Sequence, residues 1–229
     1  LPTPISENAM VGLAGGMALR GLRPIVEIMF GDFLSLCMDP LLNYVSKVTR
    51  MYNGQVSAPL VVRAPMGGRR GYGPTHSQTL DKHFLGIPGL EVLAPSPLHP
   101  AGRMLRAAVL GDSPVLFLEN KACYAARAKV SAGAMVDDFF VHFAGDADVP
   151  IACLSLTRFE REDATLVCYG GMLPVAMEAA VRLLTQFEMS VRILAPGRIH
   201  PLEADRLGGL VVYRAPLVTL EEGTPAAGF

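Results

Sequence analysis

Short apolar runs alternate with longer stretches of helical period along most of the 229 residues. The run at 24–29 is extended and rich in β-branched residues, and those at 60–63, 90–94 and 115–118 read as further strands. Residues 32–51, 77–85 and 97–110 read as helices between them. Pro40 lies inside the first of these and should kink or restart it. Ser77 is placed as the N-cap of the second. Gly21 and Gly111 follow helical stretches, where C-terminal caps belong. Parallel strands covered on both faces give such continuous apolar runs, so 1–125 reads as a Rossmann-like α/β layer.

From 120 to 163 the period fails. Residues 125–145 mix small, charged and aromatic side chains, and 126–163 reads as a linker between domains. Regular alternation then returns, with strands at 164–169, 190–195 and 217–220 and helices at 172–187 and 201–207. This second, smaller α/β unit spans 164–229. The fold class is α/β, a parallel-sheet domain followed by a smaller domain of the same class.

Composition narrows the function classes. Hydrophobic residues make up 51% and charged residues 18%, which implies extensive burial, including a face against another subunit. The net charge of −1, with no basic block, argues against nucleic-acid binding. No run approaches the roughly 20 apolar residues of a membrane span. The opening Leu1-Pro2-Thr3-Pro4 has no signal-peptide character. Cys37, Cys123, Cys153 and Cys168 stand singly among apolar neighbours and read as buried free thiols of a reducing compartment, the cytoplasm.

Three clusters carry candidate chemistry. Thr3-Pro4-Ile5-Ser6-Glu7 opens an alanine- and glycine-rich helix, Glu27-Ile28-Met29-Phe30-Gly31-Asp32-Phe33 follows the next strand, and Gly73-Pro74-Thr75-His76-Ser77-Gln78 follows a glycine-rich loop. Taken singly they are ordinary. A first-turn glutamate complements the helix dipole by about 0.3–1 kcal/mol, a phenylalanine packs in a core, and a loop histidine meets solvent. In this order and at these separations they resemble the β subunit of the thiamine-diphosphate-dependent 2-oxo-acid dehydrogenases, the first component of the pyruvate, branched-chain and acetoin types. The resemblance covers 1–118 and 164–229.

The resemblance implies a transketolase-like pyrimidine-binding domain followed by a transketolase C-terminal domain. Both read as truncated, because the first motif begins at residue 3 and 221–229 is similar to a loop that leads into another helix. It implies Glu7 as the carboxyl group facing the ring nitrogen of the cofactor's aminopyrimidine, and Phe33 as the aromatic residue on that ring's face. Ile5, Ser6, Met29 and Phe30 line the same pocket, and His76 lies near the reacting carbonyl. Glu27, within an apolar strand, needs a partner. A structural potassium ion is implied through the backbone carbonyls of Leu60, Ala108, Val109, Gly111 and Ser113, although Gly111 and Ser113 replace more polar residues. Thr75 and Gly86 also depart from the family pattern, standing where glutamine and histidine are usual.

The chain lacks the Gly-Asp-Gly segment, followed by asparagine, with which the superfamily's other half holds magnesium and diphosphate. The resemblance therefore implies an α subunit supplying those contacts in an α2β2 heterotetramer, a 2-oxo-acid substrate, and a lipoyl acyltransferase as acyl acceptor. Two alternatives stay open: a carbon–carbon bond-forming enzyme of the transketolase type, and a non-catalytic scaffold subunit.

Overall fold

The computed structural model describes residues 1–126, 135–156 and 162–223. Helix α1 (Glu7–Leu19) comes first and buries Val11, Ala14, Gly15 and Ala18. A Cβ on Gly15 would lie 2.6 Å from Tyr44 Cε1 and 2.8 Å from Val45 Cγ1, so the close approach of α1 to that segment requires glycine. Gly21, at φ +86°, ends the helix and donates its N–H to the Ala18 carbonyl.

Strand β1 (Ile25–Glu27) follows. The helix expected over 32–51 is three pieces: a 3-10 turn at Gly31–Cys37, a π-helical stretch at Pro40–Val45, and the short α2 (Val48–Met51). The second piece begins at Pro40, whose missing N–H and ring block a continuous α-helix. Then come β2 (Val61–Met66), β3 (Glu91–Leu93), α3 (Ala101–Leu110) and β4 (Val115–Asn120).

The helix expected at 77–85 does not form; only Asp81–His83 makes a 3-10 turn. Side chains compete for the backbone there. Asp32 accepts the Gln78 N–H and Asp81 accepts the Lys82 N–H. Gly111 is not a left-handed cap either. It is extended at φ −68°, and an arginine side chain covers its carbonyl instead.

The second half contains β5 (Met135–Val136), β6 (Phe139–Gly145), β7 (Pro150–Ser155), β8 (Ala164–Cys168), α4 (Leu173–Phe187), β9 (Val191–Pro196), β10 (Arg198–His200), α5 (Ala204–Leu210) and β11 (Leu217–Leu220). The supposed linker at 126–163 thus carries three strands of the second sheet. Its residues 127–134 and 157–161 lie outside the described residues, as do 224–229. The pattern hid β6 because only some of its residues are buried, in an antiparallel meander.

The first sheet has the order β1-β2-β4-β3-β10, its first four strands parallel and β10 antiparallel to β3. The second runs β11-β8-β9-β7-β6-β5, with β11, β8 and β9 parallel and the rest antiparallel. Strand β10 belongs to the second half by sequence but to the first sheet by hydrogen bonding.

One face of the first sheet packs on α1 and the 31–51 segment through Val11, Leu34, Leu41 and Val62. Its other face packs on α3 through Met104 and Ala108 against Phe117. The second sheet lies between α4, through Ala176 and Ala180, and α5, through Leu207. Each large side chain so buried contributes about 1.5–3 kcal/mol. The two packed sheets fix the strand ends on which the candidate site stands.

Candidate functional site

The residues of interest stand where parallel strands of the first sheet end at their carboxyl side. Ile28 to Phe33 follow β1, Gly67 and Gly68 follow β2, and Lys121 follows β4. In open α/β sheets this edge is where ligands bind.

An open groove of about 640 Å³ runs along the start of α1 and β1. It is lined by Ile5, Glu7, Met10, Leu13 and Met29, among others, and is mostly apolar with few carboxylates. Ile5 is 89% exposed and Met29 71%, so both present side chains to the opening. Ser6 is exposed at the N-cap position and its side chain makes no cap hydrogen bond. Glu7 is half-buried in the first turn, where the helix dipole favours a carboxylate. Burial pushes the Cys37 thiol up to about 12, and the nearby Glu7 charge pushes the same way.

Directly after Met29 the chain enters an aromatic cluster. Phe30 meets His76 edge-on at 4.6 Å between ring centres, Tyr72 at 5.5 Å and Phe33 at 6.2 Å. Phe33 meets His76 at 5.4 Å, also edge-on. Each such pair adds about 0.5–1.5 kcal/mol beyond its buried area. The Thr75 hydroxyl lies 3.0 Å from His76 Nδ1, within hydrogen-bond distance.

Polar groups under this cluster hold its shape. The Lys121 residue is 5% exposed, and its Nζ donates to the His76 carbonyl at 2.5 Å. The same ammonium lies 5.3 Å from the Phe30 ring centre and 5.1 Å from that of Tyr72. Burial holds its pKa below the usual lysine range, while Asp32 and Glu222 pull it back up. Asp32 Oδ1 accepts the Gln78 backbone N–H at 3.2 Å and its side-chain amide at 2.8 Å, clipping the His76 loop to the Phe33 turn. Glu222 accepts from Gly68 N–H and from Asn120 Nδ2, both at 2.8 Å. Gly67, at φ +90°, lies so close that a Cβ would come within 2.5 Å of Asn120 Nδ2. The Tyr169 hydroxyl donates to Asp81 Oδ2; burial raises the Asp81 pKa and this bond opposes the rise.

The sequence-derived set therefore falls into two adjoining groups. Ile5, Glu7 and Met29 share the groove, while Phe30, Phe33 and His76 share the ring cluster. Lys121, Asn120 and Glu222 escaped the sequence reading, and Gln78 stood at the end of the third cluster with no role. Asp32 stood in the second cluster, likewise with no role. The one signal pointing to Lys121 and Asn120 is their place at the end of a parallel strand.

Glu27 finds its partner in Arg63, 3.8 Å away, whose guanidinium also forks onto both oxygens of Glu119. At Gly86, His200 from β10 accepts the backbone N–H on Nδ1 and donates from Nε2 to the Ile87 carbonyl. Three of the five potassium candidates are already engaged. Val109 and Gly111 carbonyls accept from Arg23 Nη1, and the Leu60 carbonyl accepts the Val115 N–H. Among the described residues no group of three or more His, Cys, Asp or Glu side chains is arranged to hold a metal ion.

Comparison with known proteins finds two family models along the chain. A model described as transketolase, pyrimidine binding domain, matches residues 1–126, and one described as transketolase, C-terminal domain, matches 156–229. The β-2 subunit of the mitochondrial pyruvate dehydrogenase E1 component of Oryza sativa subsp. japonica is 34% identical over 228 residues, covering 100% of this chain and 58% of the relative. The β subunit of acetoin:2,6-dichlorophenolindophenol oxidoreductase of Cupriavidus necator is 33% identical over 225 residues, 98% of this chain and 62% of its own. The chain thus spans about three-fifths of these relatives (58% and 62%). Among solved structures, a split-gene transketolase in an inactive β4 tetramer superposes with a TM-score of 0.68 at 20% identity, over 100% of this chain and 67% of that one. Transketolase from Leishmania mexicana gives 0.66 at 16%, over 95% and 30%. With its first 126 residues matched to one family model and its remaining α/β unit to the companion domain, the chain belongs to the transketolase pyrimidine-binding-domain family.

Proposed function

We propose that this chain is the β subunit of a thiamine-diphosphate-dependent 2-oxo-acid dehydrogenase, which decarboxylates a 2-oxo acid and passes the acyl group to a lipoyl carrier. The observation that carries the reading is the adjacency of the Glu7 groove to the Phe30–Phe33–His76 cluster. Its apolar walls and half-buried carboxylate suit a flat heteroaromatic ring with a basic nitrogen.

Thiamine diphosphate supplies the electron sink for decarboxylation. This chain's residues do the orienting. Glu7 would hold the ring nitrogen of the aminopyrimidine, Phe33 would pack on the ring, and Ile5, Ser6, Met29 and Phe30 would complete the wall. His76 would donate a hydrogen bond from a ring N–H to the substrate's carbonyl oxygen as charge develops there. Lys121 and Asp32 hold the loop that presents it. Magnesium and the diphosphate belong to an α subunit, in an α2β2 assembly that delivers acyl groups to a lipoyl acyltransferase. The four free cysteines favour a reducing compartment, the cytoplasm. No helix among the described residues is long and apolar enough to cross a membrane.

The test is reconstitution of the full-length subunit with its α partner and reduction of an artificial electron acceptor by 2-oxo acids. Turnover requiring both chains, thiamine diphosphate and magnesium is expected. Ketol transfer between sugar phosphates without 2-oxo-acid oxidation would assign the transketolase reaction instead. No turnover of either kind in a folded assembly would leave a scaffold subunit.

A further inference from the structure

Two of the five carbonyls that the resemblance implied for potassium, those of Val109 and Gly111, already accept from one side chain, so the set does not fit an ion in this chain. Arg23 lies between α1 and β1, 86 residues from Val109 in sequence. Its Nη1 donates to the Val109 carbonyl at 3.0 Å and to the Gly111 carbonyl, and its Nη2 donates to Asp112 Oδ1 at 2.9 Å. These acceptors close the C-terminal end of α3, where carbonyls lack helical partners and the dipole is negative. A potassium ion and a guanidinium each bring one positive charge. Held within a few ångströms of each other they would repel, and two of the five carbonyls that an ion would need are taken.

We propose that Arg23 is a built-in replacement for a monovalent cation at this turn. The guanidinium satisfies the last carbonyls of α3, neutralises Asp112, and fixes the 109–113 turn to the strand that enters the groove. Pro24 and Ile25, the next residues, line that groove, so the clamp also sets where its floor begins. A planar fork does this with directed donors, whereas a spherical ion needs a fuller ring of oxygens. Lysine cannot reproduce the arrangement, since one ammonium does not span two carbonyls and a carboxylate in the same plane.

Thermal unfolding of the full chain in potassium, sodium and choline chloride at equal ionic strength tests this directly. The unsubstituted chain should unfold at the same midpoint in all three salts. Arg23→Met should lower the midpoint by about 2–4 °C for a chain of this size, and Arg23→Lys should fall between. A potassium-specific rise of more than about 2 °C in the unsubstituted chain would mean that an ion site coexists with Arg23 and would overturn the proposal. An unchanged midpoint for Arg23→Met would overturn it too, because the guanidinium would then hold nothing. The salt comparison needs no variant, so a misfolded variant leaves the test intact, and neither arm depends on the proposed enzyme activity.

Discussion

Replacing Lys121 by methionine keeps the side-chain volume and removes the ammonium beneath His76. The lost interactions are a charged hydrogen bond to the His76 carbonyl and two ring contacts, to Phe30 and Tyr72. A hydrogen bond from a charged group is worth about 1.5–3 kcal/mol, and each cation–ring contact about 0.5–1 or more when desolvated. Opposing them is the desolvation of the ammonium, visible in its lowered pKa. Removing the cation also takes away its attraction for Asp32 and Glu222, which makes the loss larger. The net expectation is a destabilisation of about 2–3 kcal/mol, or about 4–12 °C in midpoint. Urea unfolding should show a lower midpoint at unchanged slope. Lys121→Gln, which keeps a donor without charge, should recover part of the loss. A Lys121→Met variant within about 0.5 kcal/mol of the parent would refute the reasoning and make the ammonium a spectator.

Glu7→Gln should preserve the fold while slowing turnover of the reconstituted assembly by more than about 100-fold, roughly 3 kcal/mol of barrier; near-normal turnover would remove Glu7 from the chemistry. His76→Ala should slow acyl formation or transfer while leaving cofactor affinity near normal, as followed by stopped-flow, and the opposite pattern would make His76 a wall residue only. Burial holds the His99 imidazole down to about 4, with Nδ1 accepting the Ser96 N–H at 3.0 Å and Nε2 3.1 Å from the Pro150 carbonyl. Its folded pKa lies below the unfolded one, so the unfolded chain takes the proton first and stability falls as pH drops from 6.5 towards about 4. Urea titrations across that window should lose up to about 3 kcal/mol from this group, and His99→Asn should flatten the slope; an equal slope in both proteins would contradict the assignment. Gly89→Ala should destabilise by about 3 kcal/mol, combining a left-handed alanine with overpacking, because φ is +82° and the new Cβ would meet the Ser46 carbonyl oxygen at 2.1 Å. Gly102→Ala, with open space inside α3, should instead stabilise by about 0.5–1 kcal/mol, and equal effects at the two sites would refute this contrast.

The apolar runs at 24–29, 60–63, 90–94 and 115–118 announced four parallel strands because strands buried on both faces carry few polar residues. Strand β10 left no such mark. Its three residues are Arg-Ile-His, and it joins the first sheet only after the chain has built most of the second. The 77–85 segment misled because its polar spacing suits a helix. Its N–H groups instead find Asp32 and Asp81, and the first of these acceptors lies 46 residues away. The same distance problem divides the site. Glu7, Phe33 and His76 sit in local motifs, so their order along the chain was enough to point to them. Lys121 reaches His76 across 45 residues and Glu222 reaches Gly68 across 154, and neither has a local pattern that records its partner. Arg23 is the sharpest case, since nothing near it in sequence shows that it ends beneath a helix 86 residues on.

The central claim is that this chain supplies the pyrimidine-binding half of a shared thiamine diphosphate site. Calorimetric titration of thiamine diphosphate with magnesium into the isolated full-length subunit, and then into the subunit mixed with its α partner, addresses it most directly. The account predicts no binding tighter than about 1 mM for the subunit alone, near −4 kcal/mol, and tight binding once the partner is present. Micromolar binding by the isolated subunit would contradict it, because the diphosphate site would then lie in this chain.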